Sequence, residues 1–178
     1  MAQSEEFRSL PVLPLKNTVL FPGLMLPLSV GRKSTQAAVE AALATEEKEI
    51  FIVSQRDSSV ESPTETDLYT VGTIAIVRRI QRHSGGVMEL MVMGEERARL
   101  VKLDQVSDED GASVYLRARI NPMPLPEDSG TEVEAMEREI LDLASKAISL
   151  AHGEASADLG RVLKRPEDPL HMVFLLAS

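Results

Sequence analysis

The 178-residue sequence predicts an α+β fold in which a strand-rich body is followed by a small helical subdomain. Three observations carry this. Residues 10–120 hold short apolar stretches rich in β-branched residues and broken by Pro and Gly. Residues 131–150 switch to a three-and-four apolar spacing, the period of a helix. Between them lies Asn121-Pro122-Met123-Pro124-Leu125-Pro126, which neither a central strand nor a helix interior accommodates. The expected organisation is a β-rich body over residues 1–121, a Pro-rich linker over 122–130 and a helical subdomain over 131–178.

Leu10 to Leu15 alternates Leu and Pro and reads as an extended edge segment, because Pro cannot donate to a central ladder. Leu24 to Val30 is apolar, extended and ended by Gly31. Ser34 to Leu43 is the one helix expected within the strand-rich part, with Ser34 as N-cap. Ile50 to Val53 is a continuous apolar run, suited to a buried strand. Thr70 to Ile80 is the next strand, Ser84-Gly85-Gly86 the hairpin turn and Val87 to Met93 the return strand. Ala98 to Leu103 continues the return strand past a bulge near Gly94, and Val114 to Ile120 closes the set.

In the helical part Thr131 and Glu134 form a capping-box pattern. Val133, Met136, Ile140, Leu143, Ala147 and Leu150 then make one apolar stripe, expected to pack in a small bundle. Gly153 ends that helix, Ala157 to Lys164 is a second, and Asp168-Pro169 starts a third. The third is still apolar at Ser178, without a Gly cap, so the chain is expected to be a piece of a longer protein cut in this helix.

Composition narrows the function. The net charge is −9, and residues 122–178 contribute five basic and eleven acidic groups to it. A chain of pI about 4.9 with six aromatic rings is poorly suited to nucleic acid, which demands bulk positive charge and stacking platforms. The absence of Cys removes disulfides, thiol nucleophiles and Cys-ligated zinc, and suits the cytoplasm. The acidic N-terminus is not a secretory leader, and no apolar run spans a membrane. Phosphate-cradling, dinucleotide, zincin and nucleophile-elbow motifs are missing, and His83, His152 and His171 lack neighbours at ligand spacing. No catalytic, metal or cofactor-binding residue is therefore expected. The basic cluster Arg78, Arg79 and Arg82 is expected to face acidic loops.

Particular stretches carry a family likeness. Leu10 to Ala42 (LPVLPLKNTVLFPGLMLPLSVGRKSTQAAVEAA) resembles the start of the N-terminal domain of Lon proteases, which are ATP-dependent serine proteases. Val53 to Asp57, Asp67 to Ala75 (DLYTVGTIA), Met91 to Ala98 (MVMGEERA) and Glu167-Asp168-Pro169 continue the resemblance in order, over roughly residues 8–178. Met93 departs from it, standing where an acidic residue is common before the Gly. The resemblance implies a PUA-like pseudobarrel followed by helices. It implies that ATPase and Ser-Lys protease modules, with ATP and Mg as cofactors, belong to the parent protein and not to this stretch. It further implies capture of unfolded, damaged or degron-bearing proteins and a place in a homohexamer, with neither nucleic acid nor membrane as partner. The rival readings are a stand-alone adaptor of the same domain type and a small-ligand or RNA-binding module.

Capture of unfolded chains requires exposed apolar surface. On the strand Val87 to Met93, Met88, Leu90 and Val92 make a uniformly apolar face expected in the core. Val87, Glu89, Met91 and Met93 make the other face, apolar but interrupted by a charge. Pro22 and Pro27 hold Leu24, Met25 and Leu26 extended and limit their pairing. Leu24, Met25, Pro27, Met91 and Met93 are the candidate client-contacting residues, since flexible Met side chains repack against varied partners. The competing expectation is that these methionines fill gaps in a core without Trp.

Overall fold

A computed structural model describes residues 7–110, 113–125, 130–150 and 169–178. The chain divides into two compact units, Met1–Leu125 and Pro126–Ala177. In the first, the elements run β1 (Arg8–Leu15), β2 (Met25–Val30), α1 (Lys33–Leu43), β3 (Glu49–Ser54), a 3-10 turn (Glu65–Asp67), β4 (Val71–Arg82), β5 (Met88–Ser107) and β6 (Ser113–Met123). The strands form one sheet in the order β2-β5-β4-β3-β1-β6, and β6 pairs with β5 as well. Five strands therefore close on themselves as a pseudobarrel, and β2 is left outside the closure.

The 20-residue strand β5 makes this possible. Its first part pairs with β2, from Met88↔Val30 to Met93↔Met25, and its second part pairs with β6, from Arg97↔Met123 to Ser107↔Ser113. A bulge separates the two. Ile74 of β4 lies opposite Glu96 and Ala75 opposite Gly94, so Glu95 is the extra residue. One added residue reverses the side-chain alternation. Leu90 and Val92 enter one core cluster, with Leu13, Ile50, Ile52, Val77 and the α1 residues Val39 and Ala42. Ala98 enters the other, with Val12, Phe51, Val53, Ile74 and Ile120. The bulge expected near Gly94 is thus the point where β5 passes from one core to the next. Gly is required there, because a Cβ would overlap the Phe21 carbonyl oxygen.

The middle strands are buried on both faces. In β3, Ile50 and Ile52 face the first cluster while Phe51 and Val53 face the second, which is why the segment reads as an unbroken apolar run. A second bulge at Arg78 resets β4, so that Val77 and Ile80, three residues apart, both meet the first cluster.

Some expectations are corrected. β1 is not an edge strand: it lies between β3 and β6. Its partner changes midway, with Arg8–Pro11 laddered to β6 and Val12–Leu15 to β3. Each Pro therefore sits where one side alone is paired, and its missing N–H removes no bond from the ladder. The N-cap of α1 is Arg32, not Ser34. Arg32 is fixed by its guanidinium, which donates to the Pro14 carbonyl at 3.2 Å and the Glu61 carbonyl at 2.8 Å. β6 runs through Pro122 and Met123, into the stretch read as linker. Pro122 pairs with Ala98 beyond the end of β1, so the other edge of β6 has no ladder to lose there.

In the second unit α2 spans Thr131–Leu150 and α3 spans Pro169–Ala177, starting at the expected Pro. Val133 and Ile140 are half-buried, but Met136, Leu143 and Leu150 are 56%, 57% and 79% exposed, more than a packed bundle stripe would allow. Gly153, Ala157 to Lys164 and Asp168 lie outside the described residues.

Candidate functional site

The alternation of β2 and the register of β5 build one outward sheet face. Leu26, Leu28 and Val30 point to the first core cluster, so Met25, Pro27 and Ser29 point away from it and are exposed. In β5, Met88, Leu90 and Val92 point inward, and Glu89, Met91 and Met93 point outward. The pairing then sets these residues in rows. Met25 lies opposite Met93, and Met93 opposite Ile76 of β4. Pro27 lies opposite Met91, and Met91 opposite Arg79. Ser29 lies opposite Glu89, and Glu89 opposite Gln81. The face grades from apolar in the first row to polar in the third.

Burial differs along it. Met25 is 60% exposed, while Met91, Met93 and Ile76 are half-buried. An open groove of about 340 Å³ lies over β2, β5 and β4, lined by Pro27, Ser29, Arg79, Gln81, Glu89 and Met91 among others. Leu24 does not belong to this face. It precedes β2 and packs on the first core cluster. Gly23, at φ 76°, turns the chain before it, and the Leu24 carbonyl accepts the Gly94 N–H at 2.9 Å. Of the five candidate residues the fold brings four together and turns one inward.

Charged groups frame the face. The Arg78 guanidinium donates to Glu95 at 3.2 Å and reaches the Met93 sulfur at 3.7 Å. Arg82 pairs with Glu40 of α1 at 2.5 Å, and His83 lies 3.1 Å from Glu89. Two arginines of the basic cluster thus meet acidic groups, on a helix and a neighbouring strand rather than on loops. Ile76 was not singled out from the sequence, and Arg79 was noted only within the basic cluster, although both lie on the strand it located. The signal for them exists only across strands, in register.

Polar groups elsewhere are engaged in holding loops. The Ser59 hydroxyl and then its backbone N–H donate to Asp57 and lower its carboxyl pKa. Thr64 does the same for Asp67, closing a capping box on the 3-10 turn. A hydrogen bond from Lys16 at 2.6 Å lowers Glu61. These are stabilised anions, the opposite of a carboxyl poised to give up a proton near neutral pH. Among the described residues no group of three or more His, Cys, Asp or Glu is placed to hold a metal ion. No helix among them is long and apolar enough to cross a membrane. What the outward face offers chemically is contact: adaptable thioether and aliphatic surface beside an open groove with both polar and apolar lining.

Comparison with known proteins gives consistent results. The family described as the ATP-dependent protease La (LON) substrate-binding domain matches residues 9–178. A Lon protease of Nitrosococcus oceani is 39% identical over 173 residues, covering 97% of this chain and 22% of the relative. A Lon protease of Lawsonia intracellularis is 36% identical over 172 residues, covering 96% and 20%. The chain therefore spans about a fifth of the length of these curated relatives. Among solved structures, the N-terminal domain of a Mycobacterium avium complex Lon protease aligns with a TM-score of 0.73 at 22% identity, covering 93% of this chain and 79% of that one. A Lon N-terminal domain protein from Xanthomonas campestris aligns at 0.54 and 17% identity, covering 96% and 97%. At these identities the structural likeness speaks for the fold alone.

Proposed function

The chain belongs to the family of LON substrate-binding domains, and from that premise we propose that its outward sheet face captures unfolded, damaged or degron-bearing proteins for an ATP-dependent serine protease. In this reading the chain binds and does not cleave. Hydrolysis and ATP use, with Mg, belong to the remainder of the parent protein, which acts in the cytoplasm as a homohexamer.

The observation that supports this most directly is the row Met25, Met93 and Ile76 beside Pro27 and Met91. It is apolar surface left in water on a sheet whose other face is core. Unfolded proteins differ from folded ones by displaying apolar side chains, and a surface that recognises many sequences must fit them without fixed shape. Thioethers on unbranched stems serve that purpose. Burying one such client side chain contributes about 1.5–3 kcal/mol. Ordering the client segment offsets much of it, so a single face binds weakly. Six copies in one assembly would convert weak contacts into useful retention through effective concentration.

The test is binding of a permanently unfolded protein to the 178-residue chain, followed by fluorescence anisotropy. Met25→Asp, at the most exposed position, and Met91→Asp, at the centre of the face, should each weaken binding about fivefold or more while circular dichroism and the unfolding midpoint stay near those of the parent. Equal affinity in both folded variants would remove the face from consideration.

A further inference from the structure

Resting on this reading of the face as a client surface, we infer that it prefers extended segments carrying a large apolar residue and a carboxylate two positions apart, and that Arg79 reads the acid. Arg78, Arg79 and Arg82 lie close together on β4 but fare differently. Arg78 is taken by Glu95 and Arg82 by Glu40. Arg79 lies opposite Met91, lines the groove and is exposed, and its guanidinium has no hydrogen bond or ion pair with any described residue.

The bulge is the cause of this difference. Arg78 is the residue added between the pairs Val77↔Val92 and Arg79↔Met91. It reaches along β5 to Glu95 and the Met93 sulfur. Arg79, one residue later, takes the regular outward position of the second row. Of the anions near it, Glu95 is taken by Arg78, and Glu89 lies 3.1 Å from His83. An incoming carboxylate thus meets an unpaired guanidinium, whose planar fork suits a bidentate contact.

The spacing follows from the sheet. Neighbouring rows are two residues apart along a strand, about 6.5 Å at 3.2–3.4 Å per residue. An extended client lying along the strands repeats its side chains on one face at the same interval. A Leu or Phe over Met25, Met93 and Ile76 therefore sets the residue two positions away over Met91 and Arg79. The groove, about 340 Å³, is at the small end of the roughly 300–1,000 Å³ typical of ligand sites. It suits a side chain or two rather than a larger molecule.

Two fluorescent peptides settle the matter, identical except that one carries Leu-Ser-Asp and the other Leu-Ser-Asn at its centre, titrated with the 178-residue chain in 150 mM salt. The Asp peptide should bind about three- to tenfold more tightly. Arg79→Gln should bring it down to the level of the Asn peptide, and Arg79→Lys should keep part of the preference. Equal affinities for the two peptides, or a preference that survives in Arg79→Gln, overturn the inference. Met25→Asp and Met91→Asp separate it from the reading beneath it. If these weaken both peptides while Arg79→Gln alters neither, the acid preference falls and the client face stands. If they weaken neither, or if neither peptide binds the parent chain at saturating concentration, the client face fails as well.

Discussion

Close approach of neighbouring backbone constrains Gly94. Its N–H donates to the Leu24 carbonyl at 2.9 Å and its carbonyl accepts the Gly23 N–H at 2.8 Å, so the chain before β2 lies directly against it. A methyl group there would overlap the Phe21 carbonyl and stand 3.2 Å from Thr73 Cγ2. Thr73 is itself fixed, its hydroxyl donating to the Leu20 carbonyl at 2.6 Å in a buried site. Gly94→Ala is expected to cost about 1–3 kcal/mol by forcing backbone apart. Urea unfolding checks this, and a midpoint equal to that of the parent would show that the 21–24 segment yields freely. Because the same residue sits at the bulge that aims Met91 and Met93 outward, the variant should also lose client affinity. At this scale the sequence supplied the Gly and the bulge, but not the carbonyl that makes the Gly necessary.

At the scale of elements, β2 is the one strand among the described residues outside the barrel closure, and unguarded outer strands invite pairing with other chains. The Gly94 N–H bond to Leu24 fixes the parity: even-numbered residues of β2 direct backbone groups to β5, and odd-numbered ones to the open edge. Pro27 therefore removes a donor from the middle of that edge while its ring remains on the outward face. Pro27→Thr should preserve the fold and raise self-association relative to the parent at equal concentration, read by sedimentation velocity. Identical sedimentation would mean that the edge is guarded by something else. The loop from Arg56 to Leu68 answers to pH. Asp57, Glu61 and Asp67 have folded-state pKa values below their ordinary 3.8, 4.5 and 3.8, so the unfolded chain takes up protons first as pH falls. Their hydrogen bonds add stability above those ordinary values and lose it as pH drops through the lowered ones. Asp57 and Glu61 are exposed and Asp67 is only half-buried, so the effect is small. Asp67→Asn should lie below the parent in thermal midpoint at pH 7, with the gap closing towards pH 3. A gap independent of pH would dissociate the Thr64 capping box from the stability of the loop.

For the whole molecule, one sheet serves two purposes because its two faces are treated differently along its length. The face of β4 that buries Ile74 beneath Ala98 and Ile120 continues past Ile76 into water, where β6 no longer covers it. The candidate site is thus the uncovered end of a core face, which explains its apolar character without any departure from ordinary strand patterning. The sequence by itself determined the strands, the β4–β5 hairpin, α1 and the sides of β5, since alternation, β-branching and paired glycines act over a few residues. It also separated Met88, Leu90 and Val92 from Glu89, Met91 and Met93. It placed β1 at an edge, did not foresee that Leu24 packs on the first core cluster, and did not distinguish Arg79 from Arg78. Those outcomes were decided by tertiary structure alone. Which strand lies beside which, where a ladder changes partner and which cation finds an acid depend on residues far apart in the chain, and a local pattern carries no information about partners it does not contain.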